Sequence, residues 1–178
     1  LTQRVWAVVV VYWAVFIVAM ATGFTGMKSA RDALEHVHKD RMEAAVAVAQ
    51  MRRGYLVNRM EMLLMFQHAP DSPLAGIHGH PLSLHTDNIA QLKTDNDAAQ
   101  KVVLERPMDA EERALIDQLQ AARKAWQSKR DQVMDAMNQG DFSPATMNFF
   151  LVAGRTEGAA FEKSMSELVK YQRNKADE

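Results

Sequence analysis

The chain has 178 residues, 48% of them hydrophobic and 24% charged, so it can bury a core and lies outside the disordered class. A net charge of −1 supplies no basic field for nucleic acid, which disfavours DNA or RNA binding. Cysteine is absent, which excludes a disulfide scaffold, a cysteine nucleophile and a thiolate zinc site.

Between Arg4 and Lys28 lie 23 residues without a charge, Val5 to Met27. As a helix rising about 1.5 Å per residue they span roughly 34 Å, enough for a hydrocarbon core of about 30 Å. Trp6, Tyr12 and Trp13 stand toward the N-terminal end, where amphipathic rings favour an interface. The rival is a cleaved signal peptide, because Ala19-Met20-Ala21 resembles a small-x-small cleavage site. Against it, the run exceeds the usual apolar core of about 7–15 residues and passes directly into a helical pattern. Residues 5–27 are therefore expected to form an uncleaved transmembrane helix, and 28–178 one extracytoplasmic domain. Because the chain opens on Leu1, residues upstream of it are expected.

The first helix beyond the anchor is expected from about Met27 to Gln67, with no proline and one interior glycine, Gly54. An apolar track in steps of three and four runs Leu34, Val37, Arg41, Ala44, Val48, Met51, Tyr55, Asn58, Met62, Met65. Beside it runs a second: Ala45, Ala49, Arg52, Leu56, Arg59, Leu63, Phe66. Two adjacent seams predict a helix contacted on more than one side, as in a bundle that also dimerises. Ala69 to His85 reads as a long break with three prolines and two glycines. A second helix is expected from Thr86-Asp87-Asn88 to Arg106-Pro107. Asp109 with Glu112 opens a third, marked by Leu115, Leu119, Ala122, Trp126, Val133 and Met137 and stopped by Gly140. Ser143-Pro144 starts a fourth, carrying Met147, Phe150, Gly154, Gly158, Phe161, Met165 and Leu168.

The expected fold is all-α: an antiparallel up-down four-helix bundle preceded by a transmembrane helix continuous with the first bundle helix. The first and fourth helices are long and the hairpin between them shorter, so near the membrane each subunit offers two helices. A second copy is expected to complete a four-helix arrangement there. The fourth helix ends where a returning helix would re-enter the bilayer, which predicts a fragment cut before a second span. The twelve methionines read as flexible filler of helical seams.

Anchor, long first helix, hairpin and returning fourth helix, with the stretches QMRRGYLVNRMEMLLMF and QGDFSPATMNFFL, resemble the periplasmic four-helix-bundle ligand-binding domain of bacterial methyl-accepting chemotaxis receptors of the aspartate-receptor type. Sensor domains of histidine kinases and cyclases share the module. The resemblance implies a homodimer that binds small solutes outside the membrane and relays binding by a small sliding movement of the fourth helix.

Arg52, Tyr55 and Arg59 share one helical face at i, i+3 and i+7. Two guanidinium forks about 10 Å apart along the axis could grip the carboxylates of a small anion such as an organic acid or acidic amino acid. The structural alternative is pairing with glutamates across the bundle. The resemblance favours ligand contact, since arginines on this helix hold ligand in the aspartate receptor. Setting Gln67 level with Gly140 brings Arg52 opposite Arg155 and Thr156, and Arg113 to a similar height. Arg155 and Thr156 resemble by position the stretch completing the family's site; their plain alternative is a solvated turn. His68, His78, His80 and His85 raise a metal question, because His-x-His can chelate. A loop does not fix their spacing, so an ordinary polar loop is expected and no metal is assigned. With no phosphate loop, nucleophile elbow or isolated acid–base pair, the chain reads as a non-enzyme without cofactor. The leading function is ligand sensing in a transmembrane chemoreceptor. The rival is a membrane-anchored helical protein-interaction module with no small ligand.

Overall fold

The computed structural model describes the backbone of residues 2–176 and, within it, the side chains of residues 4, 6–32, 34 and 42–175. Val5, Val37 and Arg41, named above, have side chains outside the described residues, and Asp177 and Glu178 lie outside them entirely. Among the described residues there are five α-helices and no strand: α1 Thr2–Met65, α2 Ser83–Leu104, α3 Ala110–Asn138, α4 Pro144–Arg155 and α5 Glu157–Ala176. The chain divides into two compact units, Leu1–Arg41 and Met42–Glu178.

The first unit contains the one helical stretch, among the described residues, long and apolar enough to cross a membrane, Trp6–Asp32. Its apolar side chains are exposed. Thr22 and Thr25 donate their hydroxyls to the carbonyls of Val18 and Ala21, each at 2.9 Å, which hides two polar groups in an apolar stretch.

The second unit is a bundle. Numbers rise on one helix as they fall on its neighbour: Tyr55 packs on Phe161 and Phe66 on Phe150, while Glu61 meets His85. Across α2 and α3, Arg123 meets Asp97 and Gln100, and across α3 and α5, Glu112 meets Gln172. Gly54 facing Asn96, Arg106 meeting Glu112 and Lys129 over Phe149 give the last three pairs a second level, so all four are antiparallel, as the up-down fold requires. The first apolar track is the core stripe of α1, since Ala44, Val48, Met51, Tyr55, Asn58, Met62 and Met65 are all buried. The second track is largely uncovered within one chain, with Ala49, Arg52, Leu56 and Leu63 exposed.

Local chemistry sets the ends. Asp109 accepts from the Glu112 backbone N–H at 2.9 Å and Ser143 from that of Thr146 at 3.3 Å, so both expected N-caps form. Glu112 does not complete a capping box, because its carboxylate is taken by Arg106 and Gln172. Gly140, at φ +87°, closes α3, with the Asp141 N–H reaching back to the Ala136 carbonyl at 2.9 Å.

Two expectations are corrected. The second helix starts at Ser83, three residues before the Thr86–Asn88 cluster, and so takes in His85, whose ring is buried against Glu61. The fourth helix is not continuous. It breaks at Thr156 (φ −103°, ψ −81°), whose hydroxyl donates back to the Val152 carbonyl at 3.1 Å and also reaches the Glu157 carboxylate. Back-bonding by threonine bends helices, and Gly154 and Gly158 on either side remove the methyl groups that would resist.

Candidate functional site

Tyr55 is at the centre of the bundle, 2% exposed, with its ring edge-on to Trp126 at 5.3 Å and Phe161 at 5.5 Å. Burial pushes its hydroxyl pKa up, with Arg59 pulling the other way, so the phenol is neutral in the physiological range. Arg59 donates to the Tyr55 oxygen at 3.3 Å. Gly154 leaves the space for that guanidinium, because a Cβ there would lie 3.0 Å from Arg59 Nη2, and Gly158 leaves the space for the Tyr55 hydroxyl.

Arg52, one turn before Tyr55, is half exposed and pairs with Glu162 at 2.7 Å. This is the pairing with a glutamate across the bundle that was the structural alternative for Arg52. The level of the helices also differs from the expected one. Arg59 stands opposite Gly154, Arg52 opposite Glu162 and Phe66 opposite Phe150, so α4 and α5 are displaced by about six to nine residues, roughly 9–14 Å, from the simple alignment. The reason is that the non-helical turn after α3 lets the top of α4 overshoot, with Phe150 and not Gly140 packing on Phe66. Arg155 and Thr156 are exposed beside Gly154, hence at the height of Arg59 rather than Arg52. Arg113 is not near this level. It is exposed in the first turn of α3, and Trp126, which marks the height of Tyr55, lies about 20 Å further along the helix.

Behind Tyr55 the bundle holds a polar pocket that sequence reading passed over, lined by Asn58, Asn96, Arg123 and Arg130. Arg123 is buried and bonds Asp97 at 2.5 Å and Gln100; Arg130 is buried and bonds Asp131 at 2.5 Å. The cavity encloses about 20 Å³, with Asn58 Oδ1 unpartnered on its wall. That volume suits one water, not an organic acid. Both arginines were legible in principle, since they fall on the heptad phase of Ile116, Leu119, Trp126, Val133 and Met137.

At the end of the bundle, His68, His78, His80 and His85 come together, with one nitrogen of each within 4.8 Å of the others. The expectation of a loop with unfixed spacing is corrected: Glu61 holds His85 Nδ1 at 2.5 Å, and Gln67 Oε1 holds His78 Nε2 at 3.0 Å. Burial and the three neighbouring imidazoles lower the His68 pKa. These four are the described residues that could hold a metal.

The sequence model of one protein family, described as the four helix bundle sensory module for signal transduction, matches residues 2–178. The chain belongs to this family. It is the sensory module of methyl-accepting chemotaxis receptors, and its all-helical bundle and apolar N-terminal helix agree with a membrane-linked sensor. No curated protein and no solved structure gives a significant match. On the face built on Arg52, Tyr55 and Arg59, an exposed and a part-buried cation meet two notching glycines and a broken helix.

Proposed function

We propose that this sensory module is the periplasmic, ligand-binding part of a transmembrane chemoreceptor of the bacterial inner membrane, and that it detects a small anionic solute, an organic acid or acidic amino acid. Arg52, Tyr55 and Arg59 on α1 and Arg155 and Thr156 beyond the Gly154 notch form the site; Arg113 is left out of it by its height. The observation that carries the reading is the Arg52–Glu162 pair. A half-exposed arginine already donates to a carboxylate oxygen at 2.7 Å, so a ligand carboxylate exchanges like for like there. Arg59 supplies the second cation, and the break at Thr156 is positioned to change when the ligand engages Arg155.

A second copy of the chain completes the receptor. Met42, Val46, Ala49, Arg53, Leu56, Met60 and Leu63 are all exposed on α1 and repeat in alternating steps of four and three. That is the spacing of a coiled-coil seam, and five of the seven are large apolar residues. The rival is an interaction module without a solute, in which the Arg52–Glu162 pair is a permanent tie between helices.

A thermal-shift screen of organic acids and acidic amino acids decides between them, because a ligand at about 100 times its Kd adds roughly 2.7 kcal/mol of stability. Arg59→Ala and Arg52→Ala should each weaken the hit by about 1.5–3 kcal/mol, ten- to a hundredfold. Arg59→Lys should weaken it too, for want of the planar fork. Glu162→Gln should tighten binding by removing the internal competitor. Unchanged affinity in both alanine variants overturns the site.

A further inference from the structure

His68 closes the 3₁₀ turn Phe66–His68 after α1, His78 and His80 lie in the connection, and His85 is in the first turn of α2. Three separate pieces of chain thus deliver four imidazoles to one point. Every pair of the four rings has its centroids between 4.3 and 6.3 Å apart. His85 Nε2 faces His68 Nε2 at 3.1 Å, and His78 Nδ1 faces His80 Nε2 at 3.4 Å. A tetrahedral zinc with bonds of about 2.0–2.1 Å has nitrogen–nitrogen edges of about 3.4 Å. These two separations match such edges and the remaining ones are at most 4.8 Å, so a metal entering the cluster draws the rings together by little more than an ångström.

The outer contacts point the same way. Glu61, buried on α1, accepts from His85 Nδ1 at 2.5 Å, is itself held by Asn88 at 3.1 Å, and so turns His85 Nε2 toward the other rings. Gln67 does the same for His78, occupying Nε2 and leaving Nδ1 to face inward. Carboxylate or carbonyl partners on the far nitrogen are what fix the tautomer and aim of metal-binding histidines. Neutral nitrogen donors select zinc, copper or nickel over magnesium and calcium.

We propose that His68, His78, His80 and His85 form a site for a divalent transition metal, zinc first, which clamps the connection between α1 and α2 onto the end of the bundle, with Glu61 as positioning residue. The site lies on a different part of the bundle from the anion face and does not depend on it.

The test uses the whole chain in detergent, stripped with chelator and titrated with Zn²⁺, with Co²⁺ as the spectroscopic probe. The expected result is one tight equivalent per chain, intense visible Co²⁺ bands of a tetrahedral nitrogen site, and a Tm raised by zinc but not by Mg²⁺. His80→Ala, a partly exposed loop change that should leave the fold intact, is expected to lose at least tenfold in affinity. Glu61→Gln should lose ten- to a hundredfold with the Co²⁺ bands shifted but present. His36→Ala/His38→Ala, a His-x-His pair elsewhere in the sequence, should change neither affinity nor spectrum. Absence of a tight equivalent, or zinc binding that survives His78→Ala/His80→Ala, overturns the proposal.

Discussion

A methyl group added at Gly158 would meet the Tyr55 hydroxyl, and that ring, held between Trp126 and Phe161, cannot step aside. Gly158→Ala should therefore lose about 1–3 kcal/mol to overpacking, against roughly 1 kcal/mol gained from alanine's helix propensity. A lower Tm in thermal melts is the expected outcome; a rise would mean the ring has slack. Gly154→Ala is the contrasting case, because the Cβ meets the far end of Arg59, a flexible side chain that can swing away. Its Tm should hold or rise while the response to anionic ligand weakens. Trp126→Ala should cost about 3–5 kcal/mol, since its indole is 2% exposed and touches Tyr55 and Phe150. At this scale the sequence was read well where side chains are apolar and poorly where they are charged. Tyr55 stands on its periodic face, and the heptad phase of α3 places Arg123 and Arg130 inward too, but it does not name the partners that offset their burial, Asp97, Gln100 and Asp131.

Within the bundle, α1 carries two heptad stripes, one buried from Ala44 to Met65 and one exposed from Met42 to Leu63. The exposed stripe predicts its own test. Leu56→Glu with Met60→Glu places charges at the centre of the proposed subunit seam, where repulsion and desolvation oppose association. Sedimentation should show weakened self-association while circular dichroism keeps its helical signal; unchanged association would refute the seam. Helix ends governed by local chemistry were legible: Asp109, Ser143-Pro144 and Gly140 all act as their residue types suggest. The start of α2 was not, because Ser83 is fixed by the tertiary pairing of His85 with Glu61 and has no side-chain cap. Neither was the break at Thr156. A threonine between glycines signals weakness in a helix, but the break there also depends on Arg59 and Tyr55 of another helix occupying the space that Gly154 and Gly158 leave open. The relative height of α1 and α5 needed the length of the turn after α3, which helical periodicity leaves open.

The whole bundle should be acid-sensitive. Asp97 is held below the usual carboxylate range: partial burial pushes the other way, but hydrogen bonds from Lys93 and Arg123 outweigh it. Asp109 is lowered by the Glu112 N–H and the Tyr171 hydroxyl, and Asp141 by the Thr146 hydroxyl and Ser143. Each takes up a proton less readily folded than unfolded, so its contribution is fully present above an unfolded pKa of about 4 and is lost as pH falls through the folded value. Tm should thus fall as pH drops below about 4, and Asp141→Asn should flatten part of that slope; a Tm that stays level on acidification would contradict it. The family and the fold were legible as a pattern of helix lengths, while the ligand face and the histidine cluster depend on which side chains three dimensions bring together. The break at Thr156 has a further consequence. A joint turns α4 and α5 into arms of a lever: tilting the 20-residue α5, about 30 Å long, by roughly 5° carries its far end about 2.6 Å sideways. Adjustments of a few tenths of an ångström where Arg59 lies beside Gly154 would reach Gln172 and Arg173 enlarged by the ratio of that arm to the short distance between Gly154 and the joint.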